Sequence, residues 1–410
     1  MNILVVCQYY HPEQFLVTEV CEQLVREGHG VTVLTGLPNY PSGVVPEEYR
    51  HGRRREEWLH GVRVLRCFEI GRKRGALGLA LNYFSFMLSA AWRARRLRVD
   101  ADLIFCYQLS PAFMAYPAAV LKKRLKKPLL LYCLDLWPES VRILLRSGDS
   151  LLYRLIGRFC TRLYRACDHI AVQSQAFLPY FERVHGIGPE RLSVLPQFAP
   201  EPCLSETSAE ENGLTDFVFL GNVGVAQDMP CLLRAAREIC DLPDWRLHIV
   251  GDGSMLDETK RLAASLGLGG RILFHGRRPV EEMPAFYRLA DACLLTLSGD
   301  SLVGLTVPSK LQGYMAAGKP VLAAIDGPAA DLIRQARCGA CAASGDSAGL
   351  AEIMREFITQ PQRYAGCGEN GRAYFRAHFT KGRHMDALLE QMAALAQRPA
   401  GGAPEGEGER

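Results

Sequence analysis

The chain of 410 residues is long enough for two domains of ordinary size, and its 48% hydrophobic and 22% charged residues match soluble globular proteins. Its 14 cysteines stand singly except for Cys338 and Cys341, so a structural zinc site lacks its second pair of ligands, and small buried residues in a reducing compartment are favoured. The net charge of +4 is uneven, because residues 1–200 hold 27 basic and 17 acidic residues, and the remainder holds 21 and 27. A basic first half indicates a face that meets an anionic partner.

Short apolar runs alternate with helical stretches from the first residues onward. Met1 leads almost directly into a strand, without a basic segment or a cleavage site, so the chain is expected to stay in the cytoplasm. Helices are predicted over residues 17–27 and 111–125. The strands predicted in this half are 3–7, 31–35, 62–67, 103–107, 129–134, 170–173 and 193–195.

The second half repeats the alternation. Helices are predicted over residues 229–239 and 284–289, and a terminal helix over 379–396. The strands predicted here are 217–220, 247–250, 272–274, 293–297, 321–325 and 341–343. Continuous apolar strands that alternate with helices indicate parallel sheets covered on both faces.

Two such series in one chain predict an α/β protein with two doubly wound, Rossmann-like domains that face each other across a cleft. The predicted organisation is an N-terminal domain over 1–198, a linker over 199–214 rich in Pro, Glu and Ser, and a C-terminal domain over 215–378. The tail over 397–410 has no apolar side chain larger than alanine, so it is expected to be disordered. In such folds, ligands bind at the carboxyl ends of the strands.

The segment over residues 307–321 is the most informative stretch of the chain. Pro308 and Ser309 indicate the start of a helix, and Gly318 indicates its end. Lys310 then lies in the first helical turn, where the free backbone N–H groups and an ammonium together favour a phosphate or diphosphate. The alternative is a surface lysine at an unfavourable position.

Three further strand ends of the second half are candidates for the same ligand. The strand over 217–220 stops at Gly221 and continues through Asn222 and Gly224, a geometry that lets the backbone approach a phosphate. Gly251 ends the next strand, and Arg277, with Arg278, follows the strand over 272–274. Ordinary turns and solvated arginines are the alternatives.

In the first half, carboxylates lie at strand ends, where catalytic groups collect in this class of fold. Glu13 follows the first strand, and Asp135 and Glu139 follow the strand over 129–134. A helix cap at Asp135 or a first-turn charge at Glu139 would be purely structural. The loop over 38–43 begins a long connection that either shapes an acceptor pocket or is a series of surface turns.

Basic runs flank an apolar stretch of 18 residues, 75–92. Its length and its polar Asn82 and Ser85 disfavour a membrane span and favour an amphipathic helix on an anionic membrane surface, or else a helix packed on its own sheet. Asp100 and Asp102 precede a strand rather than follow one, so they are not counted as metal ligands, and no metal-binding cluster is expected. Nucleic acid is disfavoured because the basic runs lack interleaved aromatics.

These motifs, in this order, resemble the GT-B glycosyltransferases of family 4, and most closely the bacterial L-fucosamine-type transferases of O-antigen, capsule and exopolysaccharide assembly. The resemblance extends from residue 1 to about residue 395. The residues that support it lie at 8–13, 28–41, 135–140, 221–227, 251–253, 308–310 and 318–321.

The resemblance implies a nucleotide-sugar donor in the C-terminal domain, an acceptor in the N-terminal one, retention of anomeric configuration and no obligatory metal or cofactor. It implies that Lys310 and Ser309 hold the donor diphosphate, with Asn222 and Gly224 close to it. It also implies that Asp135 and Glu139 lie near the acceptor hydroxyl or the donor sugar.

The chain departs from the family pattern at two places. Leu305 and Gly313 stand where the family often has two glutamates, and Asn222 and Gln227 stand where it usually has Arg and Lys. Less positive charge therefore reaches the diphosphate, so Lys310 becomes more important.

The predicted function is that of a retaining glycosyltransferase. It would move a sugar from a UDP-N-acetylhexosamine type of donor to a polyprenyl-diphosphate-linked saccharide, as a peripheral protein at the inner face of the plasma membrane. The alternatives are a nucleotide-sugar 2-epimerase, which uses the same architecture, and a non-catalytic partner that binds nucleotide-sugar.

Overall fold

A computed structural model describes residues 1–73, 75–141, 150–200, 212–299 and 302–397. The chain divides into two compact units. Unit 1 comprises Met1–Leu195 and the C-terminal segment that starts at Met385, and unit 2 comprises Pro196–His384. Most of the predicted linker over 199–214, and the tail beyond residue 397, lie outside the described residues.

Unit 1 is built on an eight-stranded sheet with the order β3-β4-β2-β1-β5-β6-β7-β8. Seven strands are parallel, and β3 alone is antiparallel to its neighbour β4. The strands are β1 (Asn2–Val6), β2 (Gly30–Thr35), β3 (Glu56–Leu59), β4 (Val62–Arg66), β5 (Leu103–Gln108), β6 (Leu129–Cys133), β7 (His169–Val172) and β8 (Leu192–Val194). The central strands β5 and β6 are buried along their whole length, as expected for a sheet covered on both faces.

The helices of unit 1 include one long amphipathic element, α2, and a C-terminal helix that begins at the boundary of unit 2. They are α1 (Leu16–Arg26), α2 (Ala76–Arg96), α3 (Tyr116–Leu125), α4 (Leu151–Ala166) and α12 (Lys381–Ala396), with a one-turn helix at Leu178–Tyr180. None of the helices in the described ranges combines the length and the apolar character needed to cross a membrane.

Unit 2 is built on a six-stranded, fully parallel sheet with the order β11-β10-β9-β12-β13-β14. Its strands are β9 (Thr215–Leu220), β10 (Trp245–Val250), β11 (Ile272–Gly276), β12 (Ala292–Thr296), β13 (Val321–Ala324) and β14 (Gly339–Ala342). Its helices are α5 (Met229–Glu238), α6 (Leu256–Ser265), α7 (Met283–Leu289), α8 (Ser309–Ala316), α9 (Gly327–Ala336), α10 (Ser347–Thr359) and α11 (Cys367–His378). Apolar clusters cover both faces of the sheet.

The predicted fold class is confirmed, because each unit is a doubly wound α/β domain with a parallel sheet. All thirteen predicted strands are present, with ends shifted by one or two residues. Strand β3 was not predicted, since its sequence Glu-Glu-Trp-Leu is short, polar and confined to the sheet edge. The helix predicted over 111–125 consists of a 3-10 turn, Ala112–Ala115, followed by α3.

Candidate functional site

Helix α8 of unit 2 begins where the sequence indicates. Pro308 is extended, with φ −66° and ψ 132°, and precedes the first helical residue Ser309. Gly318 follows the helix with φ +67°, a left-handed conformation that favours glycine. The hydroxyl of Tyr314 accepts a hydrogen bond from the backbone N–H of Leu220 at 3.0 Å. This contact holds the helix against the carboxyl end of β9.

Lys310 lies in the first turn of α8, and its ammonium points at the same strand end. The Nζ atom lies 3.8 Å from the centroid of the Phe219 ring. It is buried and has no hydrogen-bond partner within the described ranges. Burial lowers the pKa of this ammonium from 10.5 to about 7. The described residues therefore provide no counter-ion for the protonated form of this side chain, which lies at a helix N-terminus.

Glycines at the ends of β9 and β10 make room for this arrangement. A Cβ atom at Gly221, where φ is +129°, would lie 3.2 Å from Cε and 3.3 Å from Nζ of Lys310. A Cβ at Gly251, where φ is +153°, would lie 1.8 Å from the carbonyl oxygen of Gly221. The two turns therefore pack backbone against backbone, and neither position accepts a side chain without displacement.

The loop after Gly221 is closed by an internal polar contact. The side chain of Gln227 accepts hydrogen bonds from the backbone N–H of Gly224 at 3.0 Å and from Nδ2 of Asn222 at 3.2 Å. Gln227 thus stabilises the loop itself, in the position where the family usually places a cation. The positive charge of Lys310 is therefore not supplemented from this loop.

The remaining donor-site candidates lie on the same edge of the unit 2 sheet. Ser309 is exposed at the start of α8, and Arg277 is exposed immediately after β11. Arg278 forms an ion pair with Glu282 at 3.7 Å, so it is a poorer candidate for a ligand contact than Arg277. The backbone N–H of Gly251 donates to the carbonyl of Gly276 at 2.8 Å, which links the β10 and β11 ends.

The two positions that lack the family glutamates lie on opposite sides of Pro308. Leu305 belongs to a short 3-10 turn, Leu302–Leu305, and Gly313 is buried inside α8. Neither can supply a carboxylate to a ligand.

In unit 1, Asp135 follows β6 and lies in a network of hydroxyl and indole donors. Its Oδ1 accepts a hydrogen bond from the Ser140 hydroxyl at 2.6 Å, and its Oδ2 accepts one from Nε1 of Trp137 at 3.3 Å. The same indole N–H donates to the hydroxyl of Ser110 at 2.8 Å. Burial raises the pKa of the Asp135 carboxyl, and the hydrogen bonds from Ser140, Ser110 and Trp137 oppose that rise. A half-buried carboxyl with a raised pKa at a strand end is a candidate acid or base.

Glu139 and Glu13 have different surroundings. The Tyr180 hydroxyl donates to Oε1 of Glu139 at 3.2 Å, while the other carboxylate oxygen is buried without a partner in the described part of the chain. Glu13 is buried, and its Oε1 accepts the backbone N–H groups of Asn39 at 2.8 Å and Tyr40 at 2.6 Å. Its carboxylate thus anchors the loop over 38–43, and the catalytic role predicted for Glu13 stays a prediction.

A buried carboxyl that the sequence analysis missed lies beside this loop. Glu69 follows β4, and its Oε1 accepts hydrogen bonds from Gln8 Nε2 at 2.7 Å, Asn82 Nδ2 at 2.6 Å and Asn39 Nδ2 at 3.2 Å. Burial raises the pKa of Glu69 to about 8, with a smaller contribution from Glu13. Its position directly after a strand could have identified Glu69, because Asp135 was selected as a candidate for the same reason.

The predicted strand-starting role of Asp100 and Asp102 agrees with the structure. Oδ2 of Asp102 accepts the backbone N–H of Asn2 at 2.8 Å, and Oδ2 of Asp100 accepts Nδ2 of Asn2 at 3.4 Å. Over the described ranges, no three His, Cys, Asp or Glu side chains are grouped in a way that could hold a metal ion.

Two families match the chain in succession. Residues 14–199 match the family described as Glycosyltransferase Family 4, and residues 204–374 match the family described as Glycosyl transferases group 1. The chain is a GT-B glycosyltransferase of the group 1/family 4 type. The match to two successive families corresponds to the two Rossmann-like units described above.

The relatives that match this glycosyltransferase are distant in sequence. A probable glycosyltransferase, WbjE of Pseudomonas aeruginosa, is 27% identical over 309 residues, which span 71% of this chain and 75% of the relative. The GDP-mannose-dependent alpha-(1-6)-phosphatidylinositol monomannoside mannosyltransferase of Mycolicibacterium smegmatis is 28% identical, over 47% of this chain and 53% of the relative.

Solved structures share the fold. HepE of Anabaena in complex with UDP-glucose has a TM-score of 0.71 and 19% identity, with 96% of this chain and 100% of that chain covered. WaaG, a glycosyltransferase involved in lipopolysaccharide biosynthesis, has a TM-score of 0.67 and 16% identity, with 96% and 99% covered. At these identities the similarity establishes the GT-B architecture alone.

Proposed function

We propose that this glycosyltransferase moves a sugar from a UDP-sugar of the N-acetylhexosamine type to a lipid-linked saccharide, with retention of configuration, in bacterial cell-surface polysaccharide assembly. The observation that supports the donor half of this proposal is the buried ammonium of Lys310, which faces Gly221 and lacks a counter-ion in the described part of the chain. The resemblance of the sequence motifs to L-fucosamine-type transferases supports a lipid-linked saccharide as the acceptor.

In unit 2, the donor diphosphate would bind at the N-terminus of α8, between the glycine turns and Lys310. The backbone N–H groups of the first helical turn and the ammonium both stabilise negative charge. This stabilisation increases as the bond between the sugar and the diphosphate breaks, because charge then develops on the leaving nucleotide. Ser309 and Asn222, on the same sheet edge, are proposed as further polar contacts, and no metal or cofactor is proposed as obligatory because Lys310 supplies the positive charge.

A uridine nucleotide is the preferred donor on two grounds. The sequence motifs resemble transferases that use UDP-sugars, and HepE, which has the same fold, forms complexes with UDP and UDP-glucose. The mannosyltransferase of M. smegmatis is named for GDP-mannose, so GDP-sugars are the competing donor class. Arg277, exposed after β11, is proposed to contact the nucleotide.

In unit 1, Asp135 is proposed to orient or deprotonate the acceptor hydroxyl. Its raised pKa, its strand-end position and its contacts with Ser110, Trp137 and Ser140 support this role. Glu139, one turn further along the chain, is proposed to hold the acceptor or donor sugar.

A lipid-linked acceptor agrees with the surface of helices α2, α3 and α4 of unit 1. These helices contain ten Lys or Arg residues and no Asp or Glu. Rings of Phe84, Phe113 and Phe159 link α2 to α4 with successive centroid distances of 5.3 Å and 5.3 Å. Large apolar side chains on this surface are exposed at Leu77, Leu81, Phe84, Leu88, Trp92, Leu151, Leu152 and Leu155. Exposed apolar side chains among basic ones favour binding to an anionic membrane.

The direct test is a screen of UDP- and GDP-sugars for release of free nucleotide, with and without bacterial lipid extract. The proposal expects release from a UDP-sugar that depends on lipid extract, and its loss in Asp135→Asn. Donor conversion without extract would indicate the 2-epimerase alternative. Nucleotide binding without turnover of any donor would indicate the scaffold alternative, and preferred turnover of a GDP-sugar would contradict the donor assignment.

A further inference from the structure

Arg72 of unit 1 is a cation that packs on an aromatic ring. Its guanidinium carbon lies 5.5 Å from the centroid of the Tyr40 ring. Among the residues that the structure describes, no carboxylate forms an ion pair with it. The side chain is half-buried rather than extended into solvent. A guanidinium packed on an aromatic face keeps its N–H fork available for a carboxylate or a phosphate.

The backbone around Arg72 is held by a buried polar centre. Its own N–H donates to Oδ1 of Asn39 at 3.0 Å. Nδ2 of Asn39 donates to Glu69, whose carboxyl also receives the amides of Gln8 and Asn82. The segment that carries Arg72 is therefore tied to the ends of β1, β2 and β4 and to α2. Such a rigid attachment fixes a side chain more closely than a free loop would.

The loop that carries Tyr40 is held by the other carboxyl of this region. Glu13 accepts the backbone N–H groups of Asn39 and Tyr40. The Tyr40 ring also packs against Phe15 at 5.4 Å and Tyr9 at 5.9 Å between centroids. The stacking partner of Arg72 is thus fixed as firmly as Arg72 itself.

Two phenols, those of Tyr9 and Tyr83, are near enough to Arg72 to be affected by its charge, and the carboxyl of Glu69 acts on both with the opposite sign. The Tyr9 hydroxyl is buried and has no hydrogen-bond partner in the described ranges. Arg72 acts to lower the pKa of both Tyr9 and Tyr83, although burial raises both pKa values overall. Tyr83 is hydrogen-bonded to Ser110, which belongs to the network of Asp135. Arg72 therefore lies on the same sheet edge as the proposed acceptor-activating carboxyl.

We propose that Arg72, stacked on Tyr40, binds a phosphate or diphosphate group of the acceptor, and that Glu69 positions it through Asn39. The inference rests on the proposed function, because it assigns the acceptor to unit 1. A guanidinium without an ion-pair partner among the described residues attracts a multiply charged anion, and bidentate hydrogen bonds give that contact its specificity. The unpartnered Tyr9 hydroxyl is available as a further donor.

The probe is farnesyl diphosphate, titrated calorimetrically into the full-length protein, with farnesol as the probe that lacks the anion. Inorganic diphosphate separates recognition of the headgroup from recognition of the lipid chain. Because Lys310 is a second candidate for diphosphate, each titration is repeated in a Lys310→Met background. The matched control for Arg72→Gln is Lys73→Gln, which removes the same charge from the next residue, an exposed one.

In the Lys310→Met background, Arg72→Gln is expected to weaken binding of both diphosphates roughly tenfold or more, because it removes charge-assisted hydrogen bonds. In the background that keeps Lys310, it is expected to remove one of two binding events. Lys73→Gln is expected to change the affinity by less than about twofold, as is usual for an exposed charge. Arg72→Lys should give an intermediate affinity, since it keeps the charge and loses the fork.

Equal losses in Arg72→Gln and Lys73→Gln, or no binding to the unsubstituted protein, would overturn the proposal. Unfolding temperatures measured on every variant identify any loss that comes from misfolding, and Arg72→Lys then replaces Arg72→Gln in the comparison. Because these titrations require no sugar transfer, their failure is distinct from failure of the proposed reaction.

Discussion

The ammonium nitrogen of Lys310 lies 3.8 Å from the centre of the Phe219 ring and has no acceptor within the described ranges. A ring face compensates a buried charge only in part, so the free protein holds this lysine at a free-energy cost. A bound diphosphate would provide the missing anion. Protonation of Lys310 and binding of the donor should therefore be coupled.

The first prediction concerns pH. Burial lowers the pKa of Lys310 to about 7 in the free protein, and a diphosphate should raise it again. Affinity for a UDP-sugar is then expected to fall by up to about tenfold per pH unit above neutrality, because only the protonated form binds well. Calorimetry in buffers of different ionisation enthalpy should also show net proton uptake at neutral pH.

Lys310→Arg is the matched control for this dependence, since a guanidinium stays charged over the whole range. Its affinity should be nearly independent of pH wherever binding persists. A UDP-sugar is preferable to UDP, because UDP has a terminal phosphate that itself titrates near neutrality. Equal pH dependence in the two proteins would show that another group controls the effect.

The second prediction concerns the glycine turns. Gly251→Ala should lower the free energy of unfolding by about 2 kcal/mol or more, since φ is +153° and the new Cβ would overlap the Gly221 carbonyl. Gly221→Ala should additionally displace Lys310 and weaken nucleotide binding. Gly270→Ala is the control, because nothing lies within 4 Å of its Cβ position. Denaturant unfolding measures the loss of stability, and UDP titration measures the loss of binding. A free energy of unfolding of Gly251→Ala equal to that of wild type would contradict the close approach of Gly251 to the Gly221 carbonyl.

The third prediction concerns Glu69. Its folded-state pKa of about 8 lies above the ordinary 4.5, so the folded protein holds a proton that the unfolded chain releases between these values. The stability that this group contributes is fully present below about pH 4.5 and is lost as pH rises through about 8. The side chain of Glu69→Gln stays neutral. The free energy of unfolding of this variant should therefore rise relative to that of wild type between about pH 4.5 and about pH 8.

Glu69→Ala is the companion variant. It leaves the amides of Gln8, Asn39 and Asn82 without their buried acceptor and opens a cavity, so its free energy of unfolding should lie about 2–5 kcal/mol below that of Glu69→Gln at any pH. A stability difference between wild type and Glu69→Gln that stays constant from about pH 5 to about pH 8.5 would show that the carboxyl is ionised throughout.

The fourth prediction concerns the membrane surface. Arg95→Gln with Arg96→Gln, and separately Leu88→Ser with Trp92→Ser, should each reduce co-sedimentation with anionic vesicles several-fold, because both charge and apolar contact contribute. Arg93 is omitted, since its guanidinium donates to the carbonyl of Arg66 at 2.8 Å and has a structural role.

Arg53→Gln with Arg246→Gln, at exposed positions outside α2, α3 and α4, removes the same number of charges and controls for the loss of net charge in these sedimentation experiments. Neutral vesicles control for purely apolar binding. If both double variants sediment with anionic vesicles as fully as wild type, the proposed membrane-binding surface is wrong.

The sequence predicted the fold well and the sites in part. The sheets were predicted from continuous apolar strands. The position of Lys310 in the first turn of a helix was predicted from Pro308 and Gly318, because these signals lie close to it in the sequence. Glu69 was not predicted as a site residue, because its amide partners, Gln8 and Asn82, are 61 and 13 residues away in sequence and contact it only in the folded chain. The contacts of Glu13 with the backbone N–H groups of Asn39 and Tyr40 could not be predicted from its strand-end position, because those groups are 26 and 27 residues away in sequence.

The most direct test of the account is calorimetric titration of UDP into the wild-type protein and into Lys310→Met, which keeps most of the side-chain volume and removes the charge. If Lys310 holds the donor diphosphate, Lys310→Met should bind UDP at least about thirtyfold more weakly while its unfolding temperature stays the same or rises, since a buried, unpaired cation has been removed. Equal affinity of the two proteins for UDP would contradict the central claim.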